Sequence, residues 1–208
     1  MSASSNASAA RAWVEIDLPA IDRNVGRIKQ ALPPHVRYVA VVKANAYGHG
    51  MPEVATRLLQ AGVDCFAVAN VAEAANLREI GHDADILLLS PILPGELPRA
   101  LALGLDITLN SLDEAKALAA AVAKSGLKAK VHVKVDTGMG RAGVWHEQAA
   151  ELFAFVQSAG FEWRGVFTHF SDADSDATYT AGPRAIFLKL LELIPAAVRA
   201  GLMIHADN

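Results

Sequence analysis

The sequence predicts an α/β fold, a (β/α)8 barrel of the TIM type of which the chain carries strands one to seven. Three observations lead there. From Tyr38 onward, strand-like and helix-like segments alternate through seven units, the seventh left open. The strand-like segments are short and apolar, and regular helices join them, as in a parallel sheet covered by helices. The count suits a closed barrel better than a doubly wound open sheet. The chain stops in or just after strand seven, and an open seventh strand would leave unpaired backbone groups. The sequence therefore reads as the front part of a longer protein.

Each element has its own signal. "PAIDRNVGRIKQAL" spaces Ile21, Val25, Ile28 and Leu32 along one helical face. "YVAVVKA" reads as the first strand, and "MPEVATRLLQAG" as a helix closed by Gly62. Then "CFAVAN" precedes "VAEAANLREIG", "ILLLS" precedes "GELPRALALG", and "ITLN" precedes "SLDEAKALAAAVAKSG". "KVHVKVD" precedes "HEQAAELFAFVQSAG", "WRGVFTHF" precedes "GPRAIFLKLLELIPAAVRAG", and "LMIHADN" comes last. The opening "WVEIDL" does not fit the series and is expected to pair with something outside the barrel.

With 208 residues, 52% of them hydrophobic, the chain can bury one large core. That domain is expected over residues 13–208. The small, polar residues 1–12 lack the apolar core of a secretory signal and read as a disordered tail. A net charge of −3 with mixed signs leaves no basic patch for nucleic acid. No apolar run reaches the ~20 residues of a membrane helix. The single cysteine, Cys65, fits a reducing, cytoplasmic setting.

Barrel active sites gather at the carboxyl ends of the strands. Lys43 ends the first strand on the face of Val39 and Val41. It is either a lysine snorkelling from the rim or a partly desolvated, nucleophilic amine of the kind that forms Schiff bases. In "KVHVKVD" the valines alternate with His132, Lys134 and Asp136. The polar set should face the barrel interior, as an ion network or as catalytic groups. The glycine-rich "TGMGRAG" reads as flexible and brings Arg141 back over the strand end. His169 ends strand six, and is either a core histidine or part of a site. "HADN" ends strand seven, where these barrels often cradle a phosphate. Glu73 and Glu79 read as solvated helix surface. "SDADSDATYT" lacks the glycine and closing glutamate of an EF-hand loop and reads as a helix cap.

"AVVKANAYGHG", "KVDTGMGRAG" and "GVFTHFSDAD", in that order, resemble the motifs of the alanine racemases, and "WVEIDLPAIDRN" resembles their usual opening. The likeness runs from about Trp13 to Asn208. It implies pyridoxal 5'-phosphate as cofactor, held by Lys43 as an internal aldimine, with Lys43 also moving the α-proton on one face. It matches Tyr47 to the tyrosine that bonds the cofactor phosphate, and His169 to the histidine beside the cofactor ring. Asn208 matches the asparagine just before the phosphate-binding serine. Arg141 matches the arginine that orients the opposite catalytic tyrosine and contacts the substrate carboxylate. Lys134 matches a lysine often carbamylated, whose carbamate holds that arginine. The resemblance further implies a carboxyl-terminal β domain, to which "WVEIDL" would belong, and a head-to-tail homodimer acting on alanine, supplying D-alanine for peptidoglycan. The eighth strand, the second catalytic tyrosine and the β domain are not in these residues, so the chain alone is expected to be inactive or weakly active. A racemase of serine or lysine, a non-catalytic cofactor-binding barrel and a truncated, inactive product are the alternatives.

Overall fold

The computed structural model describes residues 11–80 and 83–206. Residues 1–10 of the tail expected over residues 1–12, and Asn208, lie outside the described residues. Arg11 to Asp17 form no regular structure, and Trp13 and Val14 stand exposed at 67% and 81%. The opening segment thus joins no strand described here.

Helix α1 (Leu18–Ala31) starts on Asp17, whose carboxylate accepts the Ala20 N–H, with Pro19 in its first turn. It packs against α3 (Met51–Gln60). Val25 is buried, whereas Ile28 is 40% exposed, so the apolar face is only partly covered. Between them lie strand β1 (Ala40–Val41) and a short helical turn, α2 (Lys43–Tyr47). The series continues with β2 (Cys65–Val68), α4 (Val71–Glu79), β3 (Asp85–Leu88), α5 (Leu97–Ala102), β4 (Asp106–Leu109) and α6 (Leu112–Ser125). Next come β5 (Lys130–Asp136), the two-residue β6 (Val144–Trp145), α7 (Ala149–Ser158), β7 (Glu162–Phe167), α8 (Ala177–Leu191), α9 (Ala196–Arg199) and β8 (Met203–His205). The expected last helix is two: Asp176 caps α8 by accepting the Tyr179 N–H, and Pro195 leads into α9. The acidic stretch before α8 is thus a helix cap, as read from sequence.

The strands pair in parallel in the order β1-β2-β3-β4-β5-β7-β8, and β6 pairs β5 off that path. This is a partial (β/α)8 barrel of seven parallel strands. Residues alternate between two environments, as strand geometry requires. Val131, Val133 and Val135 join the apolar cluster that includes Leu118, Leu152, Phe153 and Val156 on the covering helices. The opposite face of β5 looks into the barrel, and one row of the register sets Lys134, Phe167 and His205 side by side. At the β5–β7 pairing the register shifts between Val131 and His132, so that His132 meets Gly165. A Cβ on Gly165 would lie 2.4 Å from His132 Nδ1, so the absent side chain is what admits the buried imidazole.

The amino-terminal ends of the strands are tied by charge. The Asp85 carboxylate meets Arg37 at 2.9 Å, Arg164 at 2.7 Å and Lys130 at 3.4 Å. Burial alone would raise the Asp85 carboxyl. The Arg37 hydrogen bond and the charges of Arg164, Arg37 and Lys130 outweigh it and hold the group below its ordinary value.

Candidate active site

At the carboxyl ends of the strands lies a cavity of about 630 Å³. Lys43, Tyr47, Lys134, Arg141 and His169 all line it, so five of the six candidate residues meet in one place. His205, the first residue of "HADN", lines it too, although it was not among the candidates.

Lys43 is presented by an unusual turn. The expected strand over 38–44 is only Ala40–Val41 by its pairing, extended by one bond from Val42 N–H to the Ala67 carbonyl. Beyond Lys43 the backbone turns left-handed: Ala44, Asn45, Ala46 and Tyr47 have φ of 51°, 55°, 53° and 55°. Gly48 and Gly50 follow at 86° and 89°, where glycine is unstrained. A left-handed turn of residues with Cβ atoms costs about 1–2 kcal/mol per residue, so neighbours must hold it. Asn45 does so twice: its side chain accepts the Met51 N–H at 2.8 Å and its carbonyl accepts the Gly50 N–H at 3.0 Å. The turn brings Lys43 Nζ to 5.9 Å from the centre of the Tyr47 ring.

Glu73 belongs to this construction and is not the solvated surface residue its helix position suggested. One carboxylate oxygen accepts the Ala44 N–H at 2.9 Å and the other accepts the Ala69 N–H at 2.8 Å. Sequence reasoning missed it because the contact to Ala44 spans 29 residues. The available signal was Asn70 followed three residues on by Glu73, a helix-start pattern whose glutamate reaches back to backbone N–H groups.

Arg141 is carried by the loop after β5. The glycine-rich segment read as flexible, yet Asp136 pins it by accepting the Gly138 N–H at 2.9 Å and the Gly140 N–H at 2.9 Å. Thr137 and Thr168 share a hydrogen bond of 2.9 Å between the hydroxyls, joining this loop to the end of β7.

Charge and burial set the protonation of the wall. Lys134 is buried, with Nζ 5.5 Å from the centre of the Phe167 ring. Burial, then the charges of Arg141 and Lys43, lower its pKa against the opposing pull of Asp136. Burial and the charges of Arg141, Lys134 and Lys43 lower that of His169. His205 stacks on Phe167 at 4.5 Å, and His132 stands edge-on to it at 6.1 Å. Burial first, then His132 and Lys134, push His205 down to about 4, so its imidazole is neutral near pH 7. His132 is fully buried, with Nε2 3.4 Å from the Asp106 carboxylate.

Two lysines and an arginine line the cavity, and among its described lining residues there is no carboxylate. The fold and the cavity define the class: an α/β barrel whose strand ends gather lysine, tyrosine and arginine side chains in one cavity suited to an anionic ligand.

The comparisons carry this further. The family model described as "Alanine racemase, N-terminal domain" matches residues 16–208. The alanine racemase of Desulforamulus reducens is 43% identical over 171 residues, covering 81% of this chain and 46% of that protein. The crystal structure of alanine racemase from E. faecalis superposes with a TM-score of 0.83 at 36% identity, over 92% of this chain and 52% of that one. A histidine racemase from Leuconostoc mesenteroides gives 0.84 at 28% identity, over 97% and 54%. The chain belongs to the alanine racemase family, and it spans about half the length of the relatives it matches.

Proposed function

We propose that the chain forms the cofactor-binding barrel of a pyridoxal-phosphate-dependent racemase interconverting L- and D-alanine. The observation that carries the reading is the meeting of Lys43, Tyr47, Arg141, Lys134 and His169 in one cavity.

The residues fit the cofactor. Its phosphate and phenolate are anionic, and the wall carries the Arg141 guanidinium and no carboxylate among its described residues. Its aldehyde needs a lysine amine, and Lys43 stands at the strand end. His205 lines the cavity, and its Nε2 is buried without a hydrogen-bond partner among the described residues. The volume lies in the range that holds a small cofactor and substrate. Lys43 would hold the cofactor covalently, Tyr47 its phosphate, and His169 would flank its ring. Asn208, outside the described residues, would lie beside the phosphate.

Bound there, pyridoxal phosphate withdraws electrons from the substrate's α-carbon and acidifies its hydrogen. Lys43 would move that proton on one face. Arg141 binds the substrate carboxylate and orients the acid–base tyrosine of the opposite face, supplied by a partner subunit in a homodimer. A neutral Lys134 amine adds carbon dioxide and releases a proton. The resulting carbamate is an anion beside Arg141, where the free amine in its charged form would be a second cation. The single cysteine supports a cytoplasmic enzyme, and its product would be D-alanine for peptidoglycan.

One observation favours a second reading, a racemase of another amino acid: the histidine racemase among the structural neighbours. Both readings share the same test of the cofactor. Borohydride reduction of the full-length protein with pyridoxal phosphate, followed by peptide mapping, should place the adduct on Lys43. An adduct elsewhere with Lys43 free rejects the assignment. Racemisation assays with alanine, serine, lysine and histidine then separate the substrates, alanine being fastest on the first reading.

A further inference from the structure

The left-handed turn after Lys43 leaves a donor that its own residues do not satisfy. Within the turn, the Ala46 N–H reaches the Val42 carbonyl at 2.9 Å and the Gly48 N–H reaches the Ala44 carbonyl at 3.0 Å. The Ala44 N–H, at the start of the turn, has no such partner, as is usual for the first donors of a helix. It is the amide immediately after the lysine, so its direction fixes how Lys43 leaves the strand. Glu73 accepts it.

Glu73 is itself firmly placed. It sits at the third position of α4, and its own N–H is held by the Asn70 side chain at 2.9 Å. Glu114 occupies the same position of α6 after Ser111, and its carboxylate bonds the Asn110 N–H at 2.8 Å. The pattern is the same, but the Glu114 carboxylate accepts from the Asn110 N–H and side-chain amide, in the residue two before its helix. Glu73 divides its two oxygens between Ala69, at the end of its own strand, and Ala44, at the end of the neighbouring one. The second bond does nothing for α4. It ties the ends of β1 and β2 together at the lysine.

We propose that Glu73 is a positioning residue for Lys43: by holding the Ala44 N–H it keeps the left-handed turn in place and aims the lysine amine, with Tyr47, into the cavity. It touches neither ligand nor substrate and acts through the backbone. The inference rests on Lys43 being the cofactor lysine.

The test compares Glu73→Gln, Glu73→Asp and, as control on the exposed side of the same helix, Glu79→Gln, in the full-length protein. Glutamine keeps the length but replaces one acceptor by a donor; aspartate is too short to reach both amides. Three properties are measured at temperatures below melting. They are the affinity for pyridoxal phosphate, the pH titration of its visible absorbance, and the rate of chymotryptic cleavage after Tyr47 in cofactor-free protein. Both Glu73 variants should bind the cofactor about tenfold more weakly or worse, the loss expected for a charge-assisted hydrogen bond. Their titration should shift and their cleavage at Tyr47 should quicken, with Glu79→Gln like wild type. A lowered melting temperature with affinity, titration and cleavage all within twofold of wild type overturns the proposal, because that is the signature of a merely structural glutamate. Should Glu73→Gln fail to fold, Glu73→Asp alone carries the comparison. The functional reading fails separately, if the wild type forms no borohydride-trapped adduct at Lys43; an equal adduct and affinity in wild type and both variants rejects the role of Glu73 alone.

Discussion

Lys134 shows how a single residue's environment decides its chemistry. It lies in the row with Phe167 and His205, buried, and close enough to Arg141 and Lys43 for their charges to lower its pKa. A lysine so placed is disfavoured as a cation, and a carbamate on it would pair with Arg141. We therefore expect Lys134→Ala to lower racemisation in the full-length protein by about tenfold or more, the scale of losing a charge-assisted contact. Added acetate or chloride should restore part of it by filling the anion position. Full activity of the variant without added anion would make Lys134 structural. Among single residues, Lys43, Arg141, Lys134 and His169 were legible because each stands within a few residues of a strand's carboxyl end, and Tyr47 through the family motif that holds it. Glu73 was not, since a glutamate in a helix's first turn has the same sequence pattern whether it caps its own strand or reaches the next.

At the scale of elements, the loop after β5 depends on one close approach. Gly143 has φ of 121°, and a Cβ there would lie 2.7 Å from the Asp136 nitrogen and 2.8 Å from the Val135 carbonyl carbon. Both are backbone atoms at the end of the strand and cannot give way cheaply. Gly140, at φ 68°, has nothing within 4 Å of such a Cβ. Gly143→Ala should thus cost roughly 2–3 kcal/mol of stability, combining strain with overpacking, and Gly140→Ala about 1 kcal/mol from strain alone. Denaturant unfolding of both variants checks the order, and equal losses would contradict the close-approach argument. The run of helices was readable from spacing, and the cap of α8 from the acidic stretch that holds Asp176. The left-handed turn was not, because alanine, asparagine and tyrosine carry no local preference strong enough to announce four consecutive positive φ angles.

Across the whole molecule, charge joins the amino ends of the strands while the site occupies the other ends. Asp85 binds three cations contributed by the segment before β1, by β5 and by β7. Its pKa is depressed in the fold, so its contribution is present above the unfolded value near 4 and is lost as pH falls through the lower folded value. Asp85→Asn should destabilise the protein by about 1–3 kcal/mol at pH 7, since it leaves partly buried cations unpaired. The difference from wild type should shrink as pH drops below about 4. Thermal melts across pH 3–7 read this directly; a difference that stays constant over that range would show that the carboxylate's charge is not what matters.

By itself the sequence determined the order of strands and helices, the inward face of β5 and four residues that meet in the cavity, Lys43, Lys134, Arg141 and His169. Those follow from periodicity, and from the rule that parallel strands bring their carboxyl ends to one side whatever the loops between them do. Only the tertiary structure decided how those residues are held. The left-handed presentation of Lys43, its hold by Glu73, the pinning of the Arg141 loop against Gly143 and the ion cluster at Asp85 each depend on atoms brought together across strands. Their energies arise from contact and burial between distant segments, and no local pattern of residues encodes such a contact.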